Sequence, residues 1–463
     1  MTPAPEPAEI RARLGGAGAP EDGQPVGRLL SEAADLLFEN SLLSGHPRFL
    51  GYIVGAPAPI GALADLLAAA VNPNVGAWHL APMATEIERQ SIRWIAQMLG
   101  YPTDCGGLLT SGGNMANFVG FLAARRAKAP WPLRDAGVAP AGAPRLSLYA
   151  SSETHTWIHK AADLFGLGTD AIRWIATDAR QRMDVADLER RIREDRASGR
   201  LPFLVIGTAG TVSTGAVDPL PLLSELCRRE GLWFHVDAAY GGFAARVPGV
   251  PADLAGLALA DSVAVDPHKW LYIPVEAGCA LVRDEDNLRE TFEFHPPYYP
   301  PREEGVDRVD YHSYGMQNSR GFRALKVWLA LRQVGQAGYR RMLGEDIALA
   351  GKLYDAVSRN PELEAGTLGL SITTFRYVPA DVASGAAPRD EAYLDRLNAA
   401  LVERLQAQGE MYPSNAVVGN RYFLRTCIVN FRTSARDIEA IPEIVVRAGR
   451  ALDRELRATQ RKG

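Results

Sequence analysis

The rhythm of hydrophobic positions changes three times along the chain, and the changes divide it. Over residues 26–100 apolar residues recur at helical spacing, broken by the Pro/Gly-rich loops 55–59 and 72–76. The densest apolar stretch, 60–71, is Ala-rich and carries Asp65, so it predicts a buried helix. Further on, short apolar runs alternate with helix-like segments. The runs 146–150, 203–207, 232–236, 262–265 and 279–282 have the continuous apolar character of strands buried on both faces. Between them, 185–197 and 220–230 carry helical spacing. This alternation predicts a predominantly parallel sheet wrapped by helices. A short apolar run is equally compatible with buried helix, so periodicity alone leaves that alternative open.

Residues 295–310, rich in Pro and Tyr and mixed in charge, interrupt the pattern. They are too polar for a core and too long for a tight turn, and predict a mobile functional loop. Beyond them the spacing predicts helices at 322–333, 391–408 and 437–456 and strands at 371–376 and 421–431. The expected division is a flexible arm over 1–27, a helical segment over 28–100, a large α/β domain over 101–320 and a small α+β domain over 321–463. The mobile loop near 295–318 falls in the large domain.

Composition narrows the function classes. Of 463 residues 47% are hydrophobic and 22% charged, as in a soluble globular protein. A formal net charge of -4 gives no basic footprint for nucleic acid. No apolar run reaches the length of a membrane span, so no membrane partner is expected. The opening MTPAPEPAEIRARLGGAGAPEDGQP has no apolar signal core. Its Gly15, Gly16 and Gly18 precede no strand pattern, so a dinucleotide loop is not supported there. Cys105, Cys227, Cys279 and Cys427 lack CxxC spacing, which argues against a disulfide scaffold or zinc ribbon and points to a reducing cytoplasm.

Two strand ends carry the candidate chemistry. In WFHVDAAYGG an apolar run ends in Asp237, followed by the small Ala238 and Ala239. Carboxyl ends of strands are where open α/β sheets bind ligands, although an Asp there can also simply cap a turn. The next run ends in SVAVDPHKW, with Lys269 between apolar neighbours and His268 beside it. A lysine is ordinarily a solvated surface charge; an inward-facing one is a candidate amine nucleophile. A lysine and a carboxylate are the pair that pyridoxal 5′-phosphate (PLP) requires, one to hold the aldehyde and one to keep the ring nitrogen protonated. LLTSGGNMANFVGF reads as a strand, a Gly-Gly turn and a helix beginning near Asn114, whose N–H groups could meet a phosphate. His155 and His159 stand four apart, but no third ligand accompanies them, so no metal is expected. A ring stacking on a flat cofactor is the better use of His155.

Together these segments resemble the group II PLP-dependent amino acid decarboxylases, from about residue 26 onward. The resemblance rests on the DxA of Asp237 and Ala239, PHKW at Pro267–Trp270, HPRFLGY at 46–52 and their order. It implies an α/β, fold type I PLP enzyme. That fold has an aspartate aminotransferase-like large domain with a mostly parallel sheet, a small α+β C-terminal domain and a helical N-terminal segment wrapping a partner in a homodimer. It implies Lys269 as the covalent cofactor lysine, Asp237 at the pyridine nitrogen and His155 on the ring. Thr208, Ala239 and His268 are implied as cofactor contacts, with Gly113 and Asn114 at the phosphate. The aromatic amino acid decarboxylases look nearest. APMATEIE is similar to their substrate-side segment, which implies Thr85, with the preceding Trp78 and His155, at the substrate. VDYHSYGMQ is similar to their mobile catalytic loop, which implies Tyr311 as proton donor. SGGNMAN departs from the aromatic pattern and leaves the substrate open between aromatic and acidic or aliphatic amino acids. An oxygen-dependent aldehyde synthase on the same scaffold is the sister activity.

Overall fold

A computed structural model of the chain describes residues 6–15, 18–297 and 307–460. Of the loop expected over 295–318, residues 298–306 therefore lie outside the described residues, as does Gly16 of the N-terminal arm. The chain forms two compact units. The larger comprises residues 53–348 and 369–371; the smaller comprises 1–52, 349–368 and 372–463.

The larger unit is built on a seven-stranded sheet. Its strands are β1 (Gly106–Thr110), β2 (Leu146–Ser151), β3 (Ile172–Ile175), β4 (Leu201–Thr208), β5 (Trp233–Asp237), β6 (Ser262–Val265) and β7 (Gly278–Val282), in the order β1-β7-β6-β5-β4-β2-β3. Pairings β2–β3, β2–β4, β4–β5 and β5–β6 are parallel, whereas β7 is antiparallel to both β1 and β6. The expected mostly parallel sheet is present. Strands β1, β2, β5, β6 and β7 are buried throughout, which is why they read as unbroken apolar runs. The helix Gly113–Lys128 packs along β1, β4, β5, β6 and β7, burying every residue from Ala116 to Ala124. Arg125, Arg126 and Lys128 occupy its last turn, where cations complement the helix dipole.

In the 26–100 region helices occupy Val26–Asn40, Pro59–Val71 and Pro82–Leu99, with a 3-10 turn at Trp78–Leu80. Pro82 sets the start of the last helix, and Gly100, left-handed at φ 75°, ends it. The helix expected to be buried, Pro59–Val71, is not: Leu66 is 68% and Val71 67% exposed, and only Gly61 and Ala64 are buried. Its apolar residues face outward.

In the smaller unit β8 (Leu363–Gly369), β9 (Ile372–Tyr377), β10 (Ser414–Val418) and β11 (Arg421–Cys427) form a sheet ordered β10-β11-β9-β8. Helices Glu391–Gln408 and Ala435–Gln460 bury Leu397, Leu401, Ile441 and Val445 together with Phe375 and Leu424. Among the described residues no helix is long and apolar enough to cross a membrane.

Candidate active site

Because β7 is antiparallel to both neighbours, β1 runs in the same direction as the parallel strands. The carboxyl ends of β1, β2, β4, β5 and β6 therefore share one rim, where open α/β sheets present ligand sites. A cavity of about 320 Å³ opens at this rim. It is lined by Lys269, Asp237, Ala239, His155, Thr208, Gly113, Asn114 and His268, eight of the residues singled out in the sequence.

Each is delivered by a strand end. β5 terminates in Asp237, paired in register with Thr208 at the end of β4 and with Ala264 in β6. Asp237 Oδ2 accepts the indole N–H of Trp157 at 2.8 Å, and Oδ1 accepts the Ala239 N–H at 3.1 Å. Beneath it, His235 Nε2 meets Asn117 Oδ1 at 2.7 Å and Nδ1 meets Ser262 Oγ at 2.8 Å. Full burial pushes His235 down to about 4, so that ring is neutral.

β6 leads through Asp266 into the short helix Pro267–Trp270. Lys269 Nζ lies 3.1 Å from Asp266 Oδ2, with the lysine side chain 22% exposed into the opening. His268 Nδ1 sits 2.8 Å from the Ala277 carbonyl, and burial lowers its pKa. His155 is likewise lowered, by burial first and by Lys269, against an opposing pull from Asp237. Its Nδ1 accepts the Trp157 N–H at 3.3 Å, which leaves the proton of the neutral ring on Nε2.

The turn after β1 presents backbone. Gly112 holds φ 137°, and a Cβ on Gly113 would come within 2.6 Å of Asp266 Oδ2. The turn is thus restricted to glycine and brings the first N–H groups of the helix Gly113–Lys128, which lack intrahelical partners, to the cavity.

The structure does not bring the other three expected residues to this cavity. Thr85 is buried, and its hydroxyl donates to Ala81 O at 3.0 Å within its own helix. Trp78 donates from its backbone to Asp310 and from its indole to Glu86. Tyr311 is 1% exposed in a 3-10 turn, under the Arg320 guanidinium at 4.7 Å and edge-on to Tyr314. Burial, then Glu88, pushes its phenol well above the usual range. The polar DYH pattern reads as loop, but the ring is sealed by a cation and a second ring. Conversely, Ile53, Ser111, Asn117, Tyr240 and Asp266 line the cavity and were not singled out. Asp266 had a signal, a second strand-end carboxylate three residues before Lys269; Ile53 and Tyr240 had none.

The family model described as the pyridoxal-dependent decarboxylase conserved domain matches residues 7–377. The chain belongs to that family. An aromatic-L-amino-acid decarboxylase of Bacillus atrophaeus is 34% identical over 421 residues, covering 90% of this chain and 84% of that relative. An acidic amino acid decarboxylase of Bos taurus is 29% identical, covering 90% and 80%. The crystal structure of Oryza sativa TDC with PLP and tryptamine superposes with a TM-score of 0.89 at 29% identity, covering 97% of this chain and 93% of that one. The decarboxylase thus has the PLP fold type I architecture, and it is an amino acid decarboxylase that uses PLP. Its cavity fits that cofactor on independent grounds. Thr208 Oγ1 and Asp266 Oδ1 are buried there without hydrogen-bond partners among the described residues, which a polar ligand would supply.

Proposed function

We propose that this decarboxylase acts on an aromatic L-amino acid, releasing the amine and CO2, with PLP held covalently by Lys269. The observation that carries the covalent assignment is the convergence of Lys269 and the anchored Asp237 on one cavity. The aromatic preference is supported by the cavity wall, where among the described residues the charged side chains beyond Lys269 and two lowered imidazoles are both acidic, Asp237 and Asp266. An acidic substrate needs a cation for its side chain. Arg320 is instead consumed by Glu88, Val75 O and Leu109 O, and Arg48 lies 3.7 Å from Asp437. The name of the Bacillus relative points the same way.

Bound PLP supplies the electron sink that lets the Cα–carboxylate bond break. In this reading Asp237, fixed by Trp157 and the Ala239 N–H, would keep a proton on the pyridine nitrogen. His155 would stack on the ring, with its own proton on Nε2. Gly113 and Asn114 would hold the phosphate end, with Thr208 and His268 as further contacts, and Lys269 would hold the aldehyde end. Tyr311 serves as a packing residue for Arg320. The outward apolar faces of Val26–Asn40 and Pro59–Val71 are of the kind a second copy of the chain would cover, which supports a homodimer wrapped by residues 28–100. The scattered cysteines support the cytoplasm as its compartment.

The test is CO2 release from the twenty amino acids, DOPA and 5-hydroxytryptophan, with amine, ammonia and hydrogen peroxide measured alongside. Amine from aromatic substrates is expected. Release confined to acidic substrates, or aldehyde with peroxide as the main products, would overturn the assignment.

A further inference from the structure

Asp346 is a buried carboxylate that no step proposed above uses, and it grips the segment carrying Lys269. It is 2% exposed and lies in the helical stretch Ala324–Ser358, beyond its break at Gly335. One oxygen, Oδ2, accepts both the Trp270 indole N–H at 2.9 Å and the Tyr272 hydroxyl at 2.8 Å. The donors are the first and third residues after Lys269. The residue between them is held from the same helical stretch, where the Tyr339 hydroxyl donates to Leu271 O at 3.1 Å.

The grip reaches the cavity. The Trp270 ring stacks on Tyr240 with centroids 4.9 Å apart and planes 18° from parallel, and Tyr240 lines the cavity. The Tyr240 hydroxyl is fixed by Ser371 at 2.7 Å. Residues 55–58 confine the same turn: a Cβ on Gly55 would fall 2.3 Å from Lys269 O, and the Ala58 N–H donates to Tyr272 O at 2.9 Å. Tyr272 sits in the left-handed region at φ 56°, a conformation that a bulky residue keeps only when its surroundings enforce it. Burial raises the Asp346 carboxyl to about 7 even though both donors pull it down, so an apolar residue would be the simpler occupant if packing were the whole role.

We propose that Asp346 is a positioning residue: by accepting from Trp270 and Tyr272 it fixes the turn that aims the Lys269 amine into the cavity. The inference rests on the reading of Lys269 as the cofactor lysine. Lysine is a long flexible chain, so its amine is only as well placed as the backbone beneath it.

The test uses the full chain loaded with PLP. Asp346→Asn keeps a carbonyl oxygen for both donors, whereas Asp346→Leu keeps none at similar volume. Three quantities are read: the PLP dissociation constant, the pH midpoint of the lysine-bound cofactor's visible absorbance, and kcat and KM separately. For Asp346→Leu the midpoint is expected to move by about one unit and kcat to fall about tenfold, with KM within about twofold. Asp346→Asn is expected to recover most of both. A folded Asp346→Leu with wild-type midpoint and kcat overturns the proposal, as does an Asn variant damaged as badly as Leu. If Asp346→Leu does not fold, Trp270→Phe and Tyr272→Phe each delete one donor and are expected to move the midpoint in the same direction. Unmoved midpoints in both would overturn it. Borohydride trapping of the wild type separates the two failures. Label on another lysine sinks the Lys269 reading, whereas label on Lys269 with unmoved midpoints sinks only the role of Asp346.

Discussion

The indole N–H of Trp157 donates to Oδ2 of Asp237 across 2.8 Å, with both side chains buried. Asp237 is thereby held by two donors, the second being the Ala239 N–H. Trp157→Phe keeps a ring against His235 but deletes one donor. A hydrogen bond to a charged group contributes about 1.5–3 kcal/mol, so PLP affinity should weaken by about tenfold or more. Absorbance titration with PLP measures this. An unchanged dissociation constant would reduce Trp157 to packing.

Tyr311→Phe should leave amine formation within about threefold of wild type, because the ring that packs under Arg320 is retained and only a buried phenol is lost. Product analysis is the check. If amine formation collapses and aldehyde accumulates, Tyr311 is the proton donor that the DYH segment suggested, and the packing role is wrong.

His235 gives a pH signature with a definite sign. Burial pushes its folded pKa down to about 4, against about 6.5 for an unfolded histidine. Between those values the unfolded chain binds the extra proton, so stability falls as pH drops through the window, by on the order of 3 kcal/mol at its foot. Asp218 and Asp346, raised by burial to about 6 and about 7, act oppositely, since the folded state holds their protons. The measurement is therefore a difference: wild type minus His235→Gln, by denaturant unfolding at pH 6.5 and 4.5. The variant should lose less stability on acidification. An equal loss would contradict the neutral, buried assignment.

The outward apolar side chains of Pro59–Val71 and Val26–Asn40, among them Leu66, Val71, Leu30 and Phe38, should be covered by a second chain. Analytical ultracentrifugation is expected to give a dimer at micromolar concentration, and Leu66→Glu together with Val71→Glu should shift it toward monomer. A wild type that stays monomeric and fully active would refute the homodimer.

What was legible in the sequence follows from burial. Strands enclosed on both faces read cleanly: 262–265 matches Ser262–Val265, and 203–207 grows only to Leu201–Thr208. Edge or half-exposed strands such as β3, β8 and β10 mix polar with apolar positions and gave no run to detect. The helix Pro59–Val71 illustrates the converse, since an apolar pattern reports the need for cover without saying whose surface provides it. In the cavity, Asp237 and Lys269 stood out because polar groups ended apolar strands. Thr85 and Trp78 were expected at the substrate on resemblance alone, and their hydrogen bonds run to Ala81, Asp310 and Glu86. Ile53 and Tyr240 meet the cavity through tertiary packing, for which no local pattern exists.

The central claim is that Lys269 holds PLP covalently, and one measurement reaches it directly. Holoenzyme is reduced with borohydride, digested, and the cofactor-bearing peptide sequenced by mass spectrometry. The expected result is a single labelled lysine, Lys269, within SVAVDPHKW, and no label in Lys269→Ala. Label on any other lysine, or equal labelling of Lys269→Ala, would contradict it.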